Sequence, residues 1–228
     1  HVVTSLPDIG ELGLAPAEYE RWFVGVVADL LRRLDSHAVA IFYQTDGRRS
    51  GEGGAWLDKS LLCHLGAREA GAACVWHVVV NGAPLGNLRT ARPGYAHMLC
   101  FSLGYRQPVG ASGVDVLPQR GHTSYAAAAG EAACASAVQF CRRVHSARQG
   151  ASHGPSVSTD AFLPEAESEA PPLIVDPFCG EGTVLAAANA PALGALCRAI
   201  FRQRCAVAAS RPPPPPVDLH ALAPAHTR

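Results

Sequence analysis

Apolar runs are the most regular feature of this chain. Residues 38–43, 73–80 and 96–102 are mostly apolar over their whole length. Half-exposed strands alternate apolar and polar positions, so continuous runs predict strands that are covered on both faces. Shorter apolar runs at 2–4 and 173–175 predict two further strands.

Amphipathic segments lie between those runs. Residues 16–34 repeat apolar side chains at helical spacing, with a proline in the first turn, and predict a helix. Residues 56–70 predict a second helix that ends at a glycine. The alanine-rich residues 125–144 predict a third helix, interrupted only at Gly130.

Alternation continues toward the end of the chain, where residues 184–190 predict a short helix and residues 193–201 a weak strand. Buried strands that alternate with helices are typical of an open α/β sheet with helices on both faces. This is the predicted fold class.

The predicted domain covers residues 1–205. Within it, residues 145–172 carry Gly, Ser, Pro and acidic residues without periodicity, which predicts a flexible insertion. Residues 206–228 contain five consecutive prolines and predict a disordered tail. The chain begins at His1, without methionine and already in strand-like sequence, which is typical of a fragment.

Composition narrows the class of protein. Hydrophobic residues make up 48% of the 228 residues and charged residues 17%, which is typical of a globular protein. The formal net charge is +0. A neutral chain argues against a chain-wide electrostatic grip on nucleic acid, although a local basic patch is compatible with it.

Eight cysteines are present, and none forms a C-x-x-C pair of the kind found in zinc modules. Most lie in apolar runs, where a thiol packs as a small hydrophobe, so we expect an intracellular, reducing compartment and no metal. No apolar run reaches the ~20 residues that span a bilayer, so we expect no membrane partner.

The sequence D-P-F-C-G-E-G-T at residues 176–183, here called the glycine loop, joins a predicted strand to a predicted helix. Glycines allow close approach of a ligand to the backbone, and the helix start offers amides and a positive dipole end. A plain turn would use the same glycines, but the complete string in this context favours a binding site.

The glycine loop resembles the S-adenosyl-L-methionine (SAM) binding motif of amino-methyltransferases that modify exocyclic nitrogens in DNA and RNA. The resemblance implies a Rossmann-like methyltransferase fold and SAM as the cofactor, held by backbone groups of the loop and by the acid at the strand end. It implicates these residues in cofactor binding: Asp176, Pro177, Phe178, Cys179, Gly180, Gly182 and Thr183.

A second motif lies near the beginning of the chain. The sequence V-T-S-L-P-D at residues 3–8 stands where members with circularly permuted order carry their catalytic T-S-P-P-Y or D-P-P-Y motif. The resemblance implicates Ser5, Pro7 and Asp8 in holding or deprotonating the acceptor. Taken alone, this stretch favours a strand-ending turn; the tandem of both motifs favours function. The aromatic residue that stacks on a flipped base is absent here.

Two further strings, F-Y-Q-T-D at 42–46 and R-P-G-Y at 92–95, extend the resemblance to a group of little-characterised SAM-dependent methyltransferases over residues 2–190. Arg92 and Tyr95 are candidates for substrate contact at the rim of the cleft. A loop in which Tyr95 caps the core is an equal alternative. Thr123 or Ser124 caps the third helix. Alternatively, as the resemblance implies, this place approaches the SAM carboxylate.

One departure concerns the strand after the glycine loop, which in SAM-binding folds ends in an acid that binds the ribose. Residues 194–202 contain no acid, and Ala199 stands at that place. The nucleotide-binding half is therefore degenerate or truncated, or the C-terminal sequence comes from an altered reading. This leaves a catalytically degenerate binding module that has lost SAM affinity as the alternative function.

Other classes are less well supported. A third glycine and a P-loop lysine are missing, so a nucleotide-binding oxidoreductase is a weaker third class. No G-x-S-x-G elbow for a hydrolase is present. His77, in an apolar run, is interpreted as a hydrogen-bonded core histidine. The sequence predicts a SAM-dependent methyltransferase with an amino nitrogen of a nucleic acid, or another acceptor, as its substrate.

Overall fold

A seven-stranded mixed sheet organises the part of the chain that the computed structural model describes, which comprises residues 1–48, 54–84, 86, 93–107, 114–123, 128–152, 172–189 and 195–197. The strands, with a separate β3–β4 hairpin, are β1 (Val2–Thr4), β2 (Ala40–Gln44), β3 (Gly47–Arg48), β4 (Trp56–Leu57), β5 (Ala73–Asn81), β6 (Tyr95–Ser102), β7 (Val116–Leu117), β8 (Ile174–Asp176) and β9 (Ala195–Cys197).

The strand order in the sheet is β7-β5-β6-β2-β1-β8-β9. Strands β2, β1, β8 and β9 are parallel neighbours, whereas β6 runs antiparallel to both β2 and β5. The predicted pairing of β5 with β6 as a hairpin is confirmed.

Helices cover both faces of the sheet: α1 (Ile9–Leu12), α2 (Pro16–Arg32), α3 (Lys59–Ala70), α4 (Glu131–Ser152) and α5 (Thr183–Asn189). On one face α2 and α3 pack around Phe42 and Phe101. On the other face α4 and α5 pack around Ile41 and Met98. Every residue of β2 is buried, as its apolar run predicts. The predicted fold class, an open Rossmann-like α/β sheet, is confirmed.

The two strands that precede the candidate motifs are adjacent. Strand β1 pairs in parallel with β8, with Val2 opposite Val175, and on its other side with β2, with Val2 opposite Ala40. Carboxyl ends of parallel neighbours lie at the same edge of a sheet. The sheet therefore brings residues 5–8 beside the glycine loop, although about 170 positions of sequence separate them.

The second predicted helix begins three residues later than expected, at Lys59. Asp58 is its N-cap, and the Asp58 carboxylate accepts from the Leu61 amide at 2.8 Å. An aspartate that satisfies a first-turn amide marks a helix start. Trp56 and Leu57 instead pair with Gly47 and Arg48 as a short antiparallel hairpin.

The third predicted helix, α4, begins after Gly130 and not at residue 125. A Cβ at Gly130 would lie 2.0 Å from the Arg120 carbonyl oxygen, so the close backbone contact there requires glycine. The helix continues to Ser152. The prediction of a flexible insertion is therefore wrong for residues 145–152, which are helical. Arg148 makes an ion pair with Asp35 at 3.4 Å within that extension. The predicted insertion from 153 to 171 and the predicted tail at 206–228 lie outside the described residues.

A short helix that the sequence did not predict, α1, follows β1. Asp8 is its N-cap, and the Glu11 carboxylate accepts from the Asp8 amide at 3.3 Å. Gly13 ends it in the left-handed conformation, with φ of 65°. The loop after β1 therefore ends at a defined helix start, and this constrains the orientation of residues 5–8.

Candidate functional site

A cleft of about 340 Å³ opens at the carboxyl ends of β1, β2 and β8. This volume lies within the ~300–1,000 Å³ range of small-molecule sites. Residues 5–8 form one side of it and the glycine loop forms another. Ala129, which precedes α4, and Ala133 and Cys134, in its first turn, complete the cleft. Both candidate motifs therefore face a single cleft.

The glycine loop makes a tight turn before α5. Gly180 and Gly182 have φ values of 52° and 80°, in the left-handed region that other residues avoid. The Gly182 amide donates to the Cys179 carbonyl at 2.7 Å, which closes the turn, and α5 starts at Thr183. Without side chains at these two positions, a ligand can approach the backbone closely.

Asp176 ends β8 and is 3% exposed. The Thr4 hydroxyl donates to its Oδ1 at 2.6 Å, and the Phe178 amide donates to the same oxygen at 3.2 Å. Burial raises the pKa of Asp176 to about 7, against the opposing effect of these two hydrogen bonds. Near neutral pH this carboxyl group is thus poised between its neutral and charged forms.

Residues 5–8 carry an ion pair and a fixed carbonyl. Asp8 pairs with the Lys59 ammonium, whose side chain is 3% exposed. The hydroxyl of the buried Tyr19 donates to the Pro7 carbonyl at 2.8 Å. Ser5, Pro7 and Asp8 all line the cleft. A carbonyl oxygen has two lone pairs, so Pro7 retains capacity for one more donor.

Lys59 belongs to a buried polar chain that connects the cleft to β6. The Lys59 amide donates to Asp46 Oδ1 at 2.9 Å, and His97 Nε2 lies 3.4 Å from Asp46 Oδ2. Burial opposes ionisation of Asp46, but hydrogen bonds from His97 and from the Lys59 amide outweigh it and lower its pKa. No motif pointed to Lys59 as a site residue. The one feature of the sequence that distinguishes it is that it is the only lysine.

Gln44, at the end of β2, also lines the cleft. The residue is 1% exposed, and neither its amide nitrogen nor its amide oxygen has a hydrogen-bond partner. Buried amides are satisfied in most proteins, so an open donor and acceptor at a cleft require an explanation. Gln44 lies within the F-Y-Q-T-D string, but the sequence assigned no role to it.

Most of the predicted cofactor residues line the cleft, and other candidates do not. The lining includes Asp176, Phe178, Cys179, Gly180 and Thr183. Three predicted cofactor residues, Pro177, Gly182 and Thr123, are outside the described lining. Pro177 is half-buried.

Thr123 does not cap α4, because that helix starts eight positions later. The first amides of α4 donate instead to backbone carbonyls: Ala132 and Ala133 to Arg120, and Glu131 to His122. Thus the predicted capping role is wrong for Thr123, and Ser124 lies outside the described residues.

The remaining candidates lie on or near the outer strands. Tyr95 begins β6, is 41% exposed and contacts the His97 ring edge-on, so it neither lines the cleft nor caps the core. Arg92 lies outside the described residues. His77 is hydrogen-bonded to His97 at 3.1 Å, as expected, but it is exposed and not in the core. The alternation of β5 explains this, because its buried side chains are the neighbours Trp76 and Val78.

Negative charge predominates in the described lining of the cleft. Asp8, Glu11 and Asp176 are carboxylic residues, and the one ammonium, Lys59, is paired with Asp8. Such a lining favours cationic or neutral ligands over phosphate groups.

Within the described part of the chain, no group of three or more His, Cys, Asp or Glu side chains has the arrangement of a metal site. No described helix combines the length and apolar character that a membrane crossing requires.

Comparison with solved structures identifies the fold. TTHA0409 of Thermus thermophilus, a candidate DNA modification methylase, superposes with a TM-score of 0.61 at 15% identity, over 91% of this chain and 83% of that one. The PvuII cytosine-N4-specific DNA methyltransferase gives 0.55 at 15% identity, over 91% and 77%. The M1.HpyAVI–SAM complex gives 0.54 at 10% identity, over 91% and 86%.

No protein family model and no curated protein sequence matches this chain. The likeness to solved structures therefore shows the fold alone, which this chain shares with these three proteins.

Proposed function

We propose that this protein is a SAM-dependent methyltransferase of circularly permuted order that acts on an amino nitrogen. The observation that carries the proposal is the parallel pairing of β1 with β8, which places residues 5–8 and the glycine loop around one cleft. Methyl transfer depends mainly on alignment of acceptor, methyl carbon and sulfur, and two facing loops are suited to that task.

The residues of the cleft fit SAM. Gly180 lines the cleft, and the positive φ values of Gly180 and Gly182 form a turn without side chains that can serve as a cradle for a ligand. The cleft volume suits a ligand of this size. SAM is cationic at its sulfonium and its ammonium, which agrees with the carboxylic lining. Asp176, Phe178, Gly180, Gly182 and Thr183 would hold it, with Asp176 favoured in its charged form by a nearby cation.

SAM, when bound, supplies a methyl group made electrophilic by the sulfonium. The chain itself would hold the acceptor nitrogen. The Ser5 hydroxyl, the Pro7 carbonyl and the Asp8 carboxylate can accept hydrogen bonds from an amino group, which orients the nitrogen lone pair. Tyr19 fixes the Pro7 carbonyl, and Lys59 fixes Asp8. Asp8 would receive the proton that the amino group loses after transfer.

Nucleic acid is the acceptor that the structural neighbours favour, because TTHA0409, M1.HpyAVI and the PvuII enzyme share this fold and two of their names specify DNA. The neutral net charge and the acidic cleft mean that phosphate contacts would have to come from local basic residues outside the cleft.

The alternative is a degenerate module that keeps the fold without binding SAM. The observation that favours it is the absence of an acid from residues 194–202, where a ribose-binding group is expected. Residue 199 lies outside the described residues.

Calorimetry of the full chain with SAM and its demethylated product S-adenosylhomocysteine (SAH) separates these two functions. Binding of both ligands supports the methyltransferase, and absence of binding supports the degenerate module.

Transfer of labelled methyl groups from SAM to unmodified DNA and RNA then tests activity. We expect Asp8→Asn, which keeps the shape and a hydrogen bond to Lys59, to abolish transfer while leaving SAM affinity nearly unchanged. Equal loss of SAM affinity in that variant would make Asp8 structural.

A further inference from the structure

Gln44 is an exception among the buried polar side chains in the described part of the chain. Other buried polar groups have partners: Thr4 binds Asp176, Ser102 binds the Ala38 carbonyl at 2.7 Å, and Asp46 binds the Lys59 amide. Gln44 is equally buried, yet both of its amide atoms lack a partner. A buried amide without partners is destabilising, so a protein that keeps one in its core retains it for another reason.

The position of Gln44 indicates what that reason is. It is the last residue of β2, directly beside β1, and it lines the same cleft as Asp8 and Lys59. Residues at the carboxyl ends of the central strands form the ligand site of open α/β sheets. The unpaired amide therefore lies in the cleft that residues 5–8 also line.

We propose that the Gln44 carboxamide recognises the methyl acceptor by pairing with the amino-bearing edge of a nucleobase. This inference rests on the proposed function. A carboxamide presents an N–H donor and a carbonyl acceptor in one plane. Adenine and cytosine present the complementary pair, an exocyclic amine beside a ring nitrogen. Glutamine pairs in this bidentate way with N6 and N7 of adenine. Extruded bases are read on their Watson–Crick edge, where the amine also lies beside a ring nitrogen.

A nucleobase fits better than a protein amide because of the β3–β4 hairpin. The hairpin extends between Asp46 and Asp58, directly beside the cleft residues Thr45 and Lys59. Its Trp56 is 43% exposed, and the Arg48 guanidinium lies 5.6 Å from the centre of the Trp56 ring. An exposed aromatic ring with an arginine over it is suited to stacking on a neighbouring base and contacting phosphate.

The charge distribution agrees with this arrangement. The cleft lining is acidic and would take a neutral base, while the cationic side chain of Arg48 lies outside it on the hairpin. The phosphate groups of a nucleic acid would then remain outside the cleft.

The test uses the full chain with saturating SAH and titrates adenosine, cytidine and purine riboside, which lacks the 6-amino group. We expect adenosine or cytidine to bind about tenfold or more tightly than purine riboside, because a carboxamide left without its partner penalises the analogue. Gln44→Leu should remove that preference and leave SAH affinity unchanged. Gln139→Leu, at an exposed glutamine of α4, is the matched control and should retain the preference for the amino-bearing nucleosides.

Stability provides a second readout. Gln44→Leu replaces an unpaired buried amide by an apolar group of similar size, so its urea midpoint should be unchanged or higher than that of the wild type. A lower midpoint would assign Gln44 a structural role and overturn the proposal. Unchanged nucleoside preference in Gln44→Leu would also overturn it, as would tighter binding of N-acetylglutaminamide than of any nucleoside.

The two proposals can fail separately. A wild-type protein that binds SAH but no nucleoside overturns the role of Gln44 and leaves the methyltransferase proposal intact. A protein that binds neither SAM nor SAH ends the methyltransferase proposal, and nucleoside titration without SAH then decides the role of Gln44.

Discussion

The Thr4 hydroxyl donates a hydrogen bond of 2.6 Å to Asp176 Oδ1, although 172 positions separate the two residues. Both residues are buried at the ends of adjacent parallel strands. The bond ties the strand before residues 5–8 to the strand before the glycine loop. The relative position of the two loops is thus fixed by a direct contact as well as by the sheet.

Asp176 should make stability depend on pH. Its pKa is about 7 in the folded chain, well above its ordinary value, so the folded state binds a proton more tightly than the unfolded state. The contribution of this residue to stability is therefore largest in acid and is lost as pH rises from about 4 to about 7. Asp176→Asn should remove that loss, which urea unfolding at pH 5 and pH 8 measures.

Asp115→Asn, at an exposed position, is the control for this comparison. It should keep the wild-type difference between the two pH values. If Asp176→Asn also kept the wild-type difference, the raised pKa of Asp176 would be contradicted.

The positive φ angles of the glycine loop should matter for binding as well as for stability. Gly180→Val should abolish SAM binding, because a β-branched residue is strained at φ of 52° and its side chain would fill the cradle. Left-handed geometry alone costs roughly 1–2 kcal/mol for a non-glycine residue.

Gly71→Val provides the matched control, since Gly71 has φ of 74° at the end of α3 with open space around it. We expect a similar loss of stability with SAM affinity retained, measured by calorimetry and urea unfolding. Loss of SAM affinity in both variants would show that general destabilisation, and not the cradle, is responsible.

Removing one partner of the Asp8–Lys59 ion pair should lower the stability of the fold. Asp8→Ala leaves the almost fully buried ammonium of Lys59 without this partner, which we expect to destabilise the fold toward the lower end of ~3–5 kcal/mol because Asp8 is partly exposed.

Replacing both partners should be milder. Asp8→Ala combined with Lys59→Met removes both charges and should recover part of that loss in a double-mutant cycle with the two single variants, measured by urea unfolding. Additive losses in the cycle would indicate that the two side chains do not interact in solution.

Packing between α2 and α3 should be sensitive at Gly66. A Cβ there would lie 2.7 Å from the Val24 carbonyl oxygen and 2.7 Å from the Val27 Cβ, so Gly66→Ala should destabilise the fold by about 1–3 kcal/mol. Gly25, on the facing helix, has nothing within 4 Å of its Cβ position. Gly25→Ala should therefore stabilise the fold by roughly 0.5–1 kcal/mol through helix propensity. Thermal unfolding distinguishes the two signs.

Periodicity predicted most elements of the fold because it reflects burial, a local property of each segment. The apolar run at 38–43 became the fully buried β2, and the helical spacing at 16–34 became α2. Boundaries were less certain, because single contacts decide them. The Asp58 cap places the start of α3 later than predicted, and the contact between Gly130 and Arg120 does the same for α4.

The sequence also located the two motif loops, since each follows a buried strand and carries glycine, proline and acid in a distinctive order. It did not single out the partners that hold them. Tyr19 and Lys59, which contact residues 5–8, and Gln44, which lines the cleft, lie on other elements. Nothing in their local sequence shows these positions. Tyr95 was selected from its motif and lies elsewhere, because its position at the start of β6 exposes it.

The sequence by itself thus determined which segments are strands and helices, and which loops have the backbone freedom to bind a ligand. These properties depend on neighbours within a few positions along the chain. Only the tertiary structure decided that Thr4 meets Asp176, that Asp8 meets Lys59, and that the Gln44 amide is buried without a partner. Those facts depend on which strands pair and in which register, and pairing across 172 positions is set by packing of the whole sheet.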